Sequence, residues 1–293
     1  LDGFRVDTYP YNEKDPMSQW CAAIMNEYPN FNIVGEVWTE NPIGTSWWQK
    51  DSPLNENNTE LKSVMDFTLM SMASDVFNDK SENGSLGRIY DHLAYDFVYA
   101  DIKNVLRFLE NHDPSRFLRT APENLNAFKQ GTAFLLTITG TPQFYYGYEL
   151  LMNGSTRSPG GDGNVRLDVP GGWSGDAQNW FTPKGRSDMQ NEAWNYMSTL
   201  LKWRQGNKVI SDGRMKHFVP QNGVYVYERY LGDKNVMVFI NGANKEVTIR
   251  MDRYAESIKG QSYGVDVVTK RNVRMESELK MAPKEVLVLD MKK

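Results

Sequence analysis

Gly3-Phe4-Arg5-Val6-Asp7, followed by Thr8-Tyr9-Pro10-Tyr11, is the stretch on which the reading of this chain turns. Phe4 and Val6 alternate with Arg5 and Asp7, the pattern of a short buried strand whose charged positions gather near its C-terminal end before Pro10 stops the ladder. An Arg on the same strand face as an Asp holds the carboxylate ionised and fixes its rotamer, which suits a nucleophile or an electrostatic stabiliser. An ordinary strand-end ion pair has the same three-position pattern, so the motif alone decides nothing.

Two further apolar runs end in acids. One is Asn32-Ile33-Val34-Gly35-Glu36-Val37-Trp38; the other is Val105-Leu106-Arg107-Phe108-Leu109-Glu110-Asn111-His112-Asp113, closed by Pro114. In both a carboxylate sits where a buried parallel strand should emerge from the core. Three strands of one sheet, each delivering an acid at the same end, describe the C-terminal rim of a (β/α)₈ barrel, where the active sites of that fold are assembled.

In these motifs the chain resembles the α-amylase family of glycoside hydrolases, retaining enzymes built on a (β/α)₈ barrel. Gly3-Phe4-Arg5-Val6-Asp7 is similar to the family's nucleophile strand, the fourth, and Gly35-Glu36-Val37-Trp38 to its acid/base strand, the fifth. Phe108-Leu109-Glu110-Asn111-His112-Asp113 resembles the seventh, and Gly140-Thr141-Pro142-Gln143-Phe144-Tyr145-Tyr146-Gly147-Tyr148-Glu149 resembles the motif associated with the eighth. The likeness runs through essentially the whole chain. It is nearest in form to the neopullulanase and cyclomaltodextrinase group of the starch-utilisation type, where Asp-Thr-Tyr-Pro-Tyr follows the Arg-Val and a segment like Arg166-Leu167-Asp168-Val169-Pro170-Gly171-Gly172-Trp173 follows the eighth strand.

The resemblance implies an α-glucan oligosaccharide substrate and assigns roles. Asp7 attacks the anomeric carbon, Glu36 beside Val37 and Trp38 protonates the leaving oxygen, and Asp113 stabilises the transition state without transferring protons. Arg5 keeps Asp7 aimed, His112 hydrogen-bonds the sugar at the cleavage point, Asn111 and Trp38 contribute to substrate binding, and Tyr9 stacks beneath the ring. Pro10-Tyr11 stand where many α-amylases carry Lys-His, a departure that bears on the reducing-side subsites. A non-enzymatic binding or partner subunit on this fold would be expected to lose one of the acids, and all three are present. A transglycosylase or isomerase would use the same acids with a sugar hydroxyl as acceptor.

If Gly3–Asp7 is the fourth strand, strands one to three lie outside these 293 residues. The expectation is then a C-terminal piece, inactive alone because an unclosed barrel exposes its edges. The family's calcium-binding residues fall in the absent part, so no cofactor and no metal ligand is assigned, and calcium remains a question for the longer protein. The resemblance favours a periplasmic or extracellular location, with no targeting sequence to read.

Lys plus Arg against Asp plus Glu gives 33 − 37 = −4, and no basic stripe stands out, which argues against nucleic acid as a partner. Hydrophobic residues at 40% and charged residues at 24% describe a chain able to bury a large core. No run of 18 apolar residues occurs, so no membrane span is expected. Cys21 is the only cysteine and reads as a core residue. Aromatics reach 12%, several in loops, where planar faces stack on sugars or pin the loop; Trp47 and Trp48, in the loop from Thr39 to Asn58, fit either role.

Asp15 and Pro16 form the expected capping pair of a helix through Tyr28, and Leu61–Leu69 reads as the sixth strand with Asp66 inside it. His92 reads as structural or surface. Helices follow over Glu123–Thr139 and Met189–Gln205, with the eighth strand running through Phe144 and Tyr146. Gly160-Gly161-Asp162-Gly163 lacks the Lys-Ser/Thr of a phosphate cradle. Beyond Gly206 short alternating strands begin, with a hairpin signal at Gly232-Asp233-Lys234 between Val224–Tyr230 and Val236–Asn241, and further strands over Glu246–Arg250, Ser262–Thr269 and Glu285–Asp290. The expected architecture is α/β: strands four to eight of a (β/α)₈ barrel over residues 1–206, then an all-β antiparallel sandwich over 207–293.

Overall fold

The computed structural model describes residues 1–119, 124–258 and 260–292. It begins with β1 (Gly3–Val6), α1 (Lys14–Glu27), β2 (Asn32–Gly35), α2 (Pro42–Ser46), β3 (Ser63–Val64), α3 (Phe67–Phe77), α4 (Gly87–Leu93), β4 (Leu106–Phe108), α5 (Leu125–Thr137) and β5 (Thr141–Gln143). Helices α6 (Asp188–Arg204) and α7 (Lys208–Ser211) lead into β6 (Arg214–Gln221), β7 (Val224–Leu231), β8 (Lys234–Asn241) and β9 (Val247–Arg250). The last elements are α8 (Ala255–Ile258), β10 (Tyr263–Asp266), β11 (Asn272–Arg274), β12 (Glu278–Met281) and β13 (Val286–Lys292). The chain divides into two units, one of Leu1–Met72, Asp91–Phe108 and Thr139–Gln143, the other of Ala73–Tyr90, Leu109–Ile138 and Phe144–Lys293.

In the first unit all strand pairs are parallel and follow chain order. Phe4 lies opposite Ile33 and Val6 opposite Gly35, while Val34 and Gly35 of β2 lie opposite Ser63 and Val64. A single bridge from Met65 to Leu106 continues the order to β4, which pairs with β5. Parallel strands need long crossovers, and α1 supplies the one between β1 and β2, its Cys21 packing with Ile33, Val64, Leu61 and Val105 in one core cluster. Gly35 is required by close packing: a β-carbon there would stand 2.7 Å from Leu61 Cδ2 and 3.0 Å from Tyr9 Cγ.

Several boundaries differ from the sequence expectation. β1 is not buried: Phe4 is 37% exposed, because among the described residues β1 has a strand partner on one side only. The α1 N-cap is Glu13, so Asp15 and Pro16 lie in the first turn instead of forming the cap. The expected Leu61–Leu69 strand shrinks to Ser63–Val64, because Asp66 Oδ1 accepts the Leu69 amide at 2.9 Å and starts α3. β5 ends at Gln143, short of Phe144 and Tyr146. The start of the next-to-last barrel helix at Glu123 lies outside the described residues; Asn124 caps α5 by accepting the Ala127 amide.

In the second unit a six-stranded antiparallel sheet runs β11-β10-β13-β8-β7-β6 and a two-stranded sheet pairs β12 with β9. Between them lies one cluster of Val224, Val226, Phe239, Ile249, Met281 and Leu289 with their neighbours. The opposite face of the large sheet is buried as well, and Tyr227 on it meets Thr137 of α5, hydroxyl to hydroxyl, at 2.6 Å. The hairpin of β7 and β8 turns at Gly232-Asp233 as its sequence signal requires.

Candidate active site

Asp7 and Glu36 are each the first residue beyond a parallel strand, and the two strands are neighbours. Arg5, still within β1, reaches both: Nη1 donates to Asp7 Oδ1, and Nη2 donates to Glu36 Oε1 at 2.8 Å. Glu36 is nearly buried, and its second oxygen accepts the Thr8 amide at 2.7 Å. Thr8 adopts a left-handed backbone with φ of 47°, an outlier for a β-branched residue, and that conformation brings its N–H to the carboxylate. One guanidinium and one strained amide therefore fix the orientation of both carboxyl groups.

Trp38 is 53% exposed, with one face stacked on Phe67 at 4.3 Å and 12°. A ring backed on one side and open on the other is a platform for an apolar sugar face. Tyr9 is not such a platform. It is 1% exposed, its hydroxyl lies 3.3 Å from Cys21 Sγ, and its ring meets Trp48 edge-on at 5.9 Å. The reason is the turn after Asp7, which folds Tyr9–Tyr11 back as a short 3₁₀ helix over α1. Trp48 packs against that same core, while Trp47 is half-buried beneath Lys14.

Asn111, His112 and Asp113 lie in the second unit, on the segment after β4. Asn111 is buried, and its Oδ1 accepts the Asp113 amide at 2.9 Å, so it shapes the turn and offers a sugar no exposed surface. His112 Nε2 lies 3.3 Å from Asp113 Oδ1. Arg166 grips the same turn, with Nε donating to the His112 carbonyl at 2.8 Å and Nη2 to Asp113 Oδ1 at 3.2 Å.

Glu110 and Arg116 anchor this turn from below, which the sequence did not suggest because neither belongs to an alternating pattern. Both are buried; Arg116 Nη1 donates to Glu110 Oε1 at 2.8 Å and to the Tyr146 carbonyl at 2.7 Å, and the Phe117 amide donates to Glu110 Oε2 at 2.6 Å. The guanidinium also lies 4.2 Å from the Tyr145 ring centre. Burial pushes the Glu110 carboxyl up to about 7, against the opposing pull of Arg116 and the Phe117 amide. The folded state then holds a proton between about pH 4.5 and 7 that the unfolded chain has lost, so stability falls as pH rises through that window. Relative to Glu110→Gln, the wild type should lose roughly 3 kcal/mol between pH 4.5 and 8 in urea unfolding. A wild type that gains on the variant over this interval would show that Arg116 keeps Glu110 charged.

Residues 1–196 match the α-amylase catalytic domain and residues 215–290 the cyclo-malto-dextrinase C-terminal domain. The chain belongs to the α-amylase catalytic-domain family, as the C-terminal part of a (β/α)₈ barrel followed by an antiparallel β domain. It is 28% identical over 247 residues to a cyclomaltodextrin glucanotransferase of Niallia circulans, covering 82% of this chain and 30% of that protein. It is also 28% identical over 242 residues to an α-amylase of Niallia circulans, covering 82% and 40%. Among solved structures, the α-amylase of Geobacillus thermoleovorans in complex with acarbose superposes with a TM-score of 0.77 at 19% identity, over 100% of this chain and 60% of that one. The chain thus spans 30% to 40% of the length of these curated relatives. No helix among the described residues is long and apolar enough to cross a membrane.

Proposed function

We propose that this chain carries the catalytic acids of a retaining α-glucan hydrolase that cleaves α-1,4, and in some substrates α-1,6, glucosidic bonds in starch-derived oligosaccharides, pullulan or cyclodextrins. The observation that carries the reading is the Arg5 guanidinium shared by Asp7 and Glu36 on adjacent strand ends. Two carboxylates held by the terminal nitrogens of one guanidinium favour the roughly 5 Å spacing of retaining enzymes over the roughly 6.5–9.5 Å that inverting ones need for a water.

In the first step an Asp7 oxygen forms a bond to the anomeric carbon as the glycosidic C–O bond breaks, and the proton on Glu36 passes to the departing oxygen. In the second, Glu36 takes a proton from water, whose oxygen attacks the anomeric carbon and releases Asp7. Glu36 accepts two N–H donors, from Arg5 and Thr8, so donating its proton to the departing oxygen requires one of these contacts to loosen. Asp113 and His112 hold the distorted sugar, and Asn111, Arg166 and Glu110 set the turn that presents them. Trp38 supplies an apolar face.

The test is proton NMR of maltotriose cleavage by the full-length enzyme. The α-anomer should appear first and mutarotate; a β-anomer at the earliest time points would reject the assignment of Asp7 as nucleophile. Product lengths decide the acceptor. Free reducing sugars mean water, whereas chains longer than the donor mean transfer, the activity named for one of the relatives.

A further inference from the structure

In the second unit, Gly160-Gly161-Asp162-Gly163 opens a 3₁₀ turn, Gly161–Val165, that ends on Arg166. Local geometry fixes its backbone. Gly160 has a φ of 99°, and a β-carbon there would stand 3.1 Å from Asn164 Nδ2, which donates to the Pro159 carbonyl at 2.6 Å. Any larger residue would strain this position. The root of the same segment is stitched to the chain just beyond Asp113: the Arg116 amide donates to the Gly154 carbonyl at 3.0 Å, the Gly154 amide to the Arg119 carbonyl at 2.7 Å, and the Thr156 amide to Ser115 Oγ at 3.1 Å. The glycine-rich stretch is therefore an arm, tied at its root to the segment after Asp113, that returns Arg166 to the Asp113 turn.

At the end of that arm one guanidinium holds the turn at two kinds of atom. Nε donates to the main-chain carbonyl of His112 at 2.8 Å, and Nη2 donates to the side-chain Oδ1 of Asp113 at 3.2 Å. Gripping a backbone oxygen and a carboxylate oxygen together fixes the Asp113 side chain relative to its own backbone. Asp162, four residues earlier, shares Nη2 at 3.4 Å and steadies the guanidinium from the arm. Magnitudes separate a stabilising role from a positioning one. The Arg166 side chain is 43% exposed, so its ion pairs contribute little to stability, whereas a shift of about 1 Å in a group that serves the transition state costs on the order of 100-fold in rate.

We propose, resting on the function argued above, that Arg166 is a positioning residue whose guanidinium, presented by the glycine-rich arm, holds Asp113 in the orientation that serves the transition state. In the full-length enzyme, Arg166→Ala should lower kcat on maltotriose about 10- to 100-fold, while KM changes less than about threefold and the melting temperature by less than about 3 °C. Arg166→Lys should recover little of that loss, because an ammonium lacks the planar fork that spans the His112 carbonyl and the Asp113 carboxylate. Gly160→Ala leaves every charge in place but strains the arm, and it should lower kcat several-fold, again with little change in KM. Unchanged kcat in Arg166→Ala overturns the proposal. So does a rise in KM at constant kcat, which would make Arg166 a substrate contact, and so does full recovery in Arg166→Lys, which would make charge alone sufficient. A kcat loss that comes with a large fall in melting temperature would reduce Arg166 to a structural residue, and wild-type kcat in Gly160→Ala would remove the arm from the assignment. A wild type that cleaves no maltotriose sinks the function itself; cleavage with an insensitive Arg166→Ala sinks only the clamp.

Discussion

Glu36→Gln in the full-length enzyme is expected to lower kcat on maltotriose by about 10²–10⁴-fold, the range for losing a general acid/base. The substitution keeps the side chain's shape, and an oxygen acceptor remains for one of the two donors, so the fold should persist with at most a modest drop in melting temperature. Gln offers only one oxygen, however, and its NH₂ group would face the Thr8 amide or the Arg5 guanidinium donor to donor. A slight opening of the Thr8 turn is a predicted secondary effect. The decisive comparison is with Asp7→Asn on a glucosyl fluoride, whose leaving group needs no proton. Glu36→Gln should release a burst of fluoride and then stall, because attack is spared while deglycosylation still lacks its base. Asp7→Asn should show no burst, since no bond to the anomeric carbon forms. Wild-type turnover by Glu36→Gln would remove it from the mechanism, and a burst from Asp7→Asn would reverse the two assignments.

The acids were readable because the physics that places them is local. A short apolar run ending in a carboxylate marks a strand that leaves the core, and Asp7 and Glu36 do stand one residue past β1 and β2. What surrounds them was not readable, because it depends on residues brought together by the turn. Thr8 reaches Glu36 only through a left-handed backbone that no pattern of side chains announces. Tyr9 follows the same strand and has the composition of a sugar platform, yet the turn sends it into the core against Cys21. In the second unit β6 escaped notice for a related reason. It contains Pro220 and a register irregularity between Phe218 and Gln221, both tolerated because β6 is the edge of its sheet. Arg107 was hidden in plain view: it sits inside an apolar run that reads as a buried strand, it is 1% exposed, and no local pattern names the distant carboxylates that neutralise it.

Arg107→Leu is expected to destabilise the protein by about 3–5 kcal/mol, the range for removing one partner of a buried ion pair. Arg107 donates from Nη2 to Asp96 Oδ1 at 2.5 Å, and its Nε lies 3.6 Å from Asp66 Oδ2, which also faces His92 Nε2 at 3.4 Å. Burial pushes the Asp66 carboxyl up, but the His92 hydrogen bond and the Arg107 charge outweigh it and hold it below its ordinary value. Leucine fills much of the same volume and leaves two carboxylates facing each other without their cation, so the cost is electrostatic, with little contribution from a cavity. Adding Asp96→Leu to Arg107→Leu should recover part of the loss, since one of the two uncompensated carboxylates, and its repulsion of Asp66, is then gone. Urea unfolding of the two variants measures both effects, and a loss below about 1 kcal/mol for Arg107→Leu would mean that the cluster contributes little. The consequence reaches the site through a short path. Asp66 starts α3 by accepting the Leu69 amide, and the next residue, Phe67, backs Trp38 at 4.3 Å. If the cluster holds the start of α3 in place, Arg107→Leu should raise KM through the Trp38 platform more than it lowers kcat; the reverse split would separate the cluster from substrate binding.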